Sequence, residues 1–189
     1  MKPYLSLALL LLTACSTFKP VKDTAIHHVL DPLVSDRKLA SATPAMAINR
    51  PSIPSYLDRM QLITRTKGQL MMSDLDLWAE PLDAAIARVM ASNLSRLTGS
   101  TNIQPVEHFA TLDYTTLLEM NIAQFDPDDA NQMILQGTWK RQPVTDKETS
   151  GHFFRITVPI PNSSAPMSAR VTDMNQSLEQ LAQQIIKQQ

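Results

Sequence analysis

Apolar positions along the chain follow two periods. Between residues 81 and 97 the period is helical: Leu82, Ile86, Val89, Met90, Leu94 and Leu97 recur at spacings of three and four and share one face. Pro81 suits the first helical position, Glu80 and Asp83 favour the positive end of the helix dipole, and Gly99 is a natural stop. Arg88, Ser92, Ser95 and Arg96 fall on other faces and are expected to meet water. A second amphipathic helix is expected over about 173–187, with Met174, Leu178, Leu181, Ala182, Ile185 and Ile186 as its apolar face. Asp173 followed by Gln176 three residues later resembles a capping box at its start.

Elsewhere the period is two, or the runs are short. Ile26 to Leu30 and Ala45 to Asn49 are possible strands, separated by a polar loop over 35–44. Residues 61–66 and 69–73 flank Lys67-Gly68, the pattern of a tight hairpin. Pro51 and Pro54 ahead of it favour an extended, partly unpaired path. Thr101 to Val106 is a further strand. In the run 111–125, Leu112, Tyr114, Leu118, Met120 and Ile122 share one parity, and Asp126-Pro127-Asp128-Asp129 reads as a turn. The return strand 131–141 carries Met133, Leu135 and Trp139 on one side. A polar loop over 142–151 precedes a strand with Phe154, Ile156, Val158 and Ile160 on one parity. These three runs suggest an antiparallel meander. The order of strands, helix, strands, helix predicts a single α+β domain: a mixed, largely antiparallel β-sheet covered by two amphipathic helices over about 82–97 and 173–187.

Composition narrows the function. The chain has 189 residues, 43% hydrophobic, 19% charged, 4 Gly and 1 Cys. That composition excludes a collagenous or disordered chain and a disulfide scaffold. No apolar run reaches the roughly 20 residues of a membrane span. Lys+Arg at 17 against Asp+Glu at 18 leaves no basic footprint for nucleic acid.

The first residues, MKPYLSLALLLLTAC, place Lys2 ahead of an apolar run from Leu5 to Leu12, with small Thr13 and Ala14 after it. This is the pattern of a secretory signal over 1–14. Leu12-Thr13-Ala14-Cys15 resembles the bacterial lipobox, in which the Cys becomes the acylated first residue. Two or more acyl chains hold a protein stably to a membrane. Residues 15–25 would then be a lipidated tether and 26–189 the periplasmic domain. Ser16, where aspartate commonly retains such proteins at the inner membrane, resembles an outer-membrane sorting signal.

A longer resemblance starts at Pro54-Ser55-Tyr56-Leu57-Asp58-Arg59. It continues through Gln61-Leu62-Ile63-Thr64-Arg65 and Trp78-Ala79-Glu80-Pro81-Leu82 into Ala87-Arg88-Val89 and Asn93-Leu94. This series is similar to the PqiC/YmbA-type family, the auxiliary lipoproteins of ABC-type intermembrane transport systems. The resemblance implies an outer-membrane-anchored docking subunit that faces the periplasm and forms a homo-oligomeric ring. Its implied partner is a tube or needle protein of the MCE class that carries lipid, and it implies neither cofactor nor catalysis. Tyr56, Leu57, Asp58 and Arg59 follow two prolines and are candidates for an exposed docking segment; the alternative is a strand edge with a local Asp–Arg pair. Trp78 either faces a partner or plugs the core beside the helix start. The methionines either form an adaptable contact surface or fill core gaps.

Catalytic constellations are missing from the sequence. His27 and His28 are adjacent, so in a strand they point to opposite faces, and His108 and His152 stand alone. No paired ligand spacing suggests zinc, and there is neither a nucleophile elbow nor a phosphate loop. Asp74 with Asp76, or Asp126 with Asp128 and Asp129, lack the ligand count of a calcium loop. A lipid carrier with an internal apolar cavity is the alternative function, and a periplasmic hydrolase is a third.

Overall fold

The computed structural model describes residues 24–32, 45–108, 114–145, 151–161 and 166–188. The expected signal segment, Cys15, most of the expected tether, the expected 35–44 loop, Leu112 and part of the expected 142–151 loop lie outside the described residues.

The described strands divide between two sheets. Strands β1 (Ile26–His28), β3 (Gln61–Thr66) and β4 (Gln69–Trp78) form the smaller, in the order β1-β4-β3. Strands β2 (Met46–Ile48), β5 (Ile103–Pro105), β6 (Thr116–Pro127), β7 (Gln132–Pro143) and β8 (His152–Pro159) form the larger, in the order β5-β2-β6-β7-β8. The β3–β4, β6–β7 and β7–β8 pairs are antiparallel, and the β1–β4, β2–β5 and β2–β6 pairs are parallel. The fold is therefore the expected α+β class, with its strands split into two sheets.

The split has a cause in the prolines. β2 runs beside β6, and the chain keeps contact as far as Ser52, which bridges Asn121 through Ser52 N–H to Met120 O at 3.1 Å. Pro51 has no N–H to extend a regular ladder. At Pro54 the chain turns, with Leu57 N–H donating to Pro54 O at 2.9 Å, and leaves the large sheet. The hairpin that follows pairs with β1 instead. Its Lys67-Gly68 turn takes positive φ at both residues, 51° and 73°, the twist that a two-residue hairpin requires.

Helices α1 (Leu82–Thr98) and α2 (Met167–Lys187) lie side by side on one face of the large sheet, α1 over β2 and β5, α2 over β7 and β8. All six apolar positions expected on α1 are buried, and so are Ala85, Ala87, Ala91 and Asn93. The helix is wedged on more than one side, so Arg88 does not simply meet water: its guanidinium donates to Leu30 O at 2.7 Å and to Glu80 at 2.5 Å. The second helix starts at Met167, earlier than the expected 173, so Asp173 and Gln176 sit inside it and cap nothing. Pro166 stands at its N-cap, and Ala169 N–H closes the first turn on Pro166 O. Val171 extends the buried face one turn ahead of Met174.

Thr116, Leu118, Met120 and Ile122 keep one buried parity along β6. A bulge between Ile122 and Gln124 then shifts the register, and Phe125 and Asp126 become buried. Opposite the bulge, a Cβ at Gly137 would stand 2.0 Å from Asn121 O, so only glycine admits this approach. The expected turn at 126–129 moves to 128–131, where the Asp128 carboxylate accepts N–H groups of Ala130 and Gln132 at 2.9 Å.

Candidate interaction site

The turn after Pro54 is pinned from beneath by a buried carboxylate. Asp126 is 1% exposed. It accepts the Tyr56 hydroxyl at 2.6 Å, Arg65 Nε at 2.8 Å and Gln124 Nε2 at 2.9 Å. A second Arg65 nitrogen reaches the same carboxylate at 3.2 Å, which makes the pair bidentate. The Arg65 guanidinium lies 5.7 Å from the centre of the Tyr56 ring. Burial, and then the hydrogen bond and charge of Asp126, push the Tyr56 hydroxyl well above its ordinary value. The hydrogen bond to Asp126 raises the Arg65 guanidinium further. A buried charge needs such pairing. The sequence reading places Asp126 in a turn and gives Arg65 and Gln124 no part in a site. Their signal is weak: a carboxylate closing an apolar run, which reads equally well as a turn.

The five candidate contact residues separate into three groups by exposure. Asp58 and Arg59 are exposed, and Arg59 donates to the Met72 thioether at 2.9 Å. Tyr56 is half-buried over Asp126. Leu57 is 4% exposed and Trp78 3%, so both belong to the core of this chain. Trp78 packs where the small sheet, the helices and β6 meet, among Leu62, Leu82, Phe125 and Met174. Glu80, two residues on, clasps Arg88 in an ion pair. The Trp-Ala-Glu-Pro-Leu stretch thus fastens β4 to the start of α1.

One histidine pairs with a carboxylate, and another stacks on an aromatic ring. His28 donates to Asp76 at 2.8 Å, and Asp76 also accepts Ser73 Oγ at 2.8 Å. His152 stacks on Trp139 with ring centres 4.3 Å apart. Among the described residues, no group of three His, Cys, Asp or Glu side chains could hold a metal ion, and no helix is long and apolar enough to cross a membrane.

The apolar gap between Leu57, Trp78, Leu82, Phe125, Met133 and Met174 has a volume of about 10 Å³, room for about one water. Two wider clefts have volumes of about 340 and 330 Å³: Met120 and Trp139 line the first beside Glu119, Asn121, Thr138 and Lys140, and Arg65, Lys67, Asp128 and Asp129 line the second.

The family model for the ABC-type transport auxiliary lipoprotein component matches residues 28–186. The chain belongs to this family. No curated protein matches it. Among solved structures, it is similar to an uncharacterized protein at 16% identity and a TM-score of 0.69, covering 87% of this chain and 98% of that one. It is similar also to a Xanthomonas campestris protein of the DUF330 family, at 17% identity and a TM-score of 0.60, covering 86% and 90%. A PelC dodecamer from Paraburkholderia phytofirmans is a more distant likeness, at 12% identity and a TM-score of 0.43, covering 79% and 94%. The first two share the fold. As a transport auxiliary lipoprotein, the chain works with a transporter, and its family's lipidation implies anchoring in the cell envelope.

Proposed function

We propose that this auxiliary lipoprotein is the outer-membrane docking subunit of an MCE-associated intermembrane lipid transport system. Acyl chains on Cys15 hold it at the periplasmic face of the outer membrane, and the folded body forms a homo-oligomeric ring that receives the end of the MCE-class tube. Its work is mechanical, with no turnover and no cofactor. Asp58 and Arg59 sit on a turn that the Asp126 cluster braces, a rigid platform for a protein contact.

The match over residues 28–186 carries this reading. Among the described residues, the apolar gap beneath Trp78 holds about 10 Å³, far short of the several hundred Å³ that a bound lipid needs, which favours docking over carriage. A photo-cross-linking amino acid at Asp58 or Arg59, used in intact cells, tests it. The expected product joins the chain to a membrane-spanning MCE-class protein. Products containing only further copies of this chain would count against the docking role. Stoichiometric lipid retained by the body in native mass spectrometry would favour carriage instead.

A further inference from the structure

The small sheet presents apolar side chains that the described body leaves about half exposed. Leu70, Met71, Met72 and Leu75 on β4 are 41–58% exposed, Met60 beside β3 is 45% exposed, and Ile26 on β1 is 57% exposed. Met71 and Met72 are adjacent strand residues and point to opposite faces, so the β3–β4 arm is apolar on both. Clustered exposure of this kind marks an interaction surface.

The position of the patch in the chain selects its occupant. β1 pairs with β4 in parallel, Ile26 opposite Asp76, so the arm is the first part of the body reached from the N-terminus. Residues 16–25, which separate Cys15 from Ile26, span at most about 35 Å. A tether this short raises the effective concentration of the membrane beside the arm to the millimolar range, so a patch of weak intrinsic affinity is occupied. Exposed Lys67 and Arg59 are matched by exposed Asp58 and Asp74, so the charge of the arm is balanced and its apolar chains, with the short tether, carry the case. The polar Lys67-Gly68-Gln69 tip opposes deep insertion, whereas the apolar chains on one face of the arm, Met71 among them, suit the headgroup boundary.

We propose that the β1–β4–β3 arm seats on the surface of the membrane that holds Cys15, fixing the tilt of the body as the acyl chains fix its position. This rests on the reading of Cys15 as the acylated residue. The chain has a single cysteine, so in the acylated protein an introduced cysteine is the one free thiol. Met71→Cys labelled with a polarity-sensitive fluorophore is reconstituted in phosphatidylethanolamine–phosphatidylglycerol vesicles, with and without a lipid-borne quencher. Gln176→Cys, exposed on α2, is the comparison. The expected result is a blue shift and several-fold loss of emission to the quencher at position 71, and neither at 176. If mass spectrometry finds the acyl chains but position 71 stays water-like and unquenched, the seat is overturned and the anchored docking role stands. A blue shift that tracks protein concentration and ignores the quencher assigns the arm to a second copy, and also overturns it. Absence of acyl chains on Cys15 overturns both the seat and the anchoring.

Discussion

Tyr56 and Asp126 stand 70 residues apart in sequence, and the Tyr56 hydroxyl donates to Asp126 Oδ2 at 2.6 Å. This bond joins the turn after Pro54 to β6, and Arg65 extends it to the hairpin close to its Lys67-Gly68 turn. Three parts of the chain therefore share one buried carboxylate.

Removing that carboxylate should be far worse than removing one of its partners. Asp126→Ala leaves Arg65 and Gln124 without their acceptor and is expected to cost about 3–5 kcal/mol, the range for breaking a buried ion pair. Tyr56→Phe deletes a single bond to a charged group and should cost about 1.5–3 kcal/mol. Urea unfolding of both variants measures the difference. Equal, small losses would mean that the network contributes little.

Gly137 faces a backbone rather than a side chain. A methyl group there meets Asn121 O at 2.0 Å, a contact that can be relieved only by moving β6 away from β7. Gly137→Ala is therefore expected to destabilise by at least the roughly 1–3 kcal/mol of an overpacked core. It should also disturb the bulge at Ile122–Gln124. Denaturant midpoints give the cost, and amide exchange along β6 shows whether the bulge has opened.

Legibility followed the regularity of each element. The 152–160 strand and the first helix were readable because their large apolar residues keep one period, and Phe154, Ile156 and Val158 are buried as expected. β6 was readable only to Ile122. Past the bulge, parity inverts, and Asp126 becomes a core residue although the local string Asp-Pro-Asp-Asp favours a turn. The start of the C-terminal helix was misplaced because Asp173 and Gln176 mimic a cap, while the actual start rests on Pro166. The partition into two sheets was not legible. It depends on where the chain turns after Pro54, and therefore on partners distant in sequence.

Asn93 presents a different kind of buried polar group. It is 1% exposed on α1, and neither its amide oxygen nor its nitrogen has a hydrogen-bond partner. An unmatched buried amide costs about 1–3 kcal/mol, and an apolar side chain of similar shape removes that cost. Asn93→Leu should therefore raise the urea midpoint. An unchanged or lower midpoint would show that the amide is satisfied in solution, by water or by a rearrangement of α1.

Two carboxylates should give the stability opposite slopes with pH. The hydrogen bond from His28 is the main reason that Asp76 titrates below its ordinary 3.8, with Ser73 adding to it against the cost of burial. The unfolded chain thus takes up this proton more readily than the folded one. The contribution of Asp76 is present above pH 3.8 and is lost as the pH falls through the lower folded value. Burial raises Asp173 within α2, with Arg170 opposing, so the folded chain holds that proton more tightly. Its contribution is present below 3.8 and is lost as the pH rises through the raised value. Asp76→Asn is accordingly expected to be less stable than the natural chain at neutral pH, with the gap closing in acid. Asp173→Asn should be the more stable at neutral pH, and its advantage should vanish in acid. Urea midpoints at a series of pH values decide both, and a gap for Asp76→Asn that does not narrow below pH 3.8 would remove His28 as its cause.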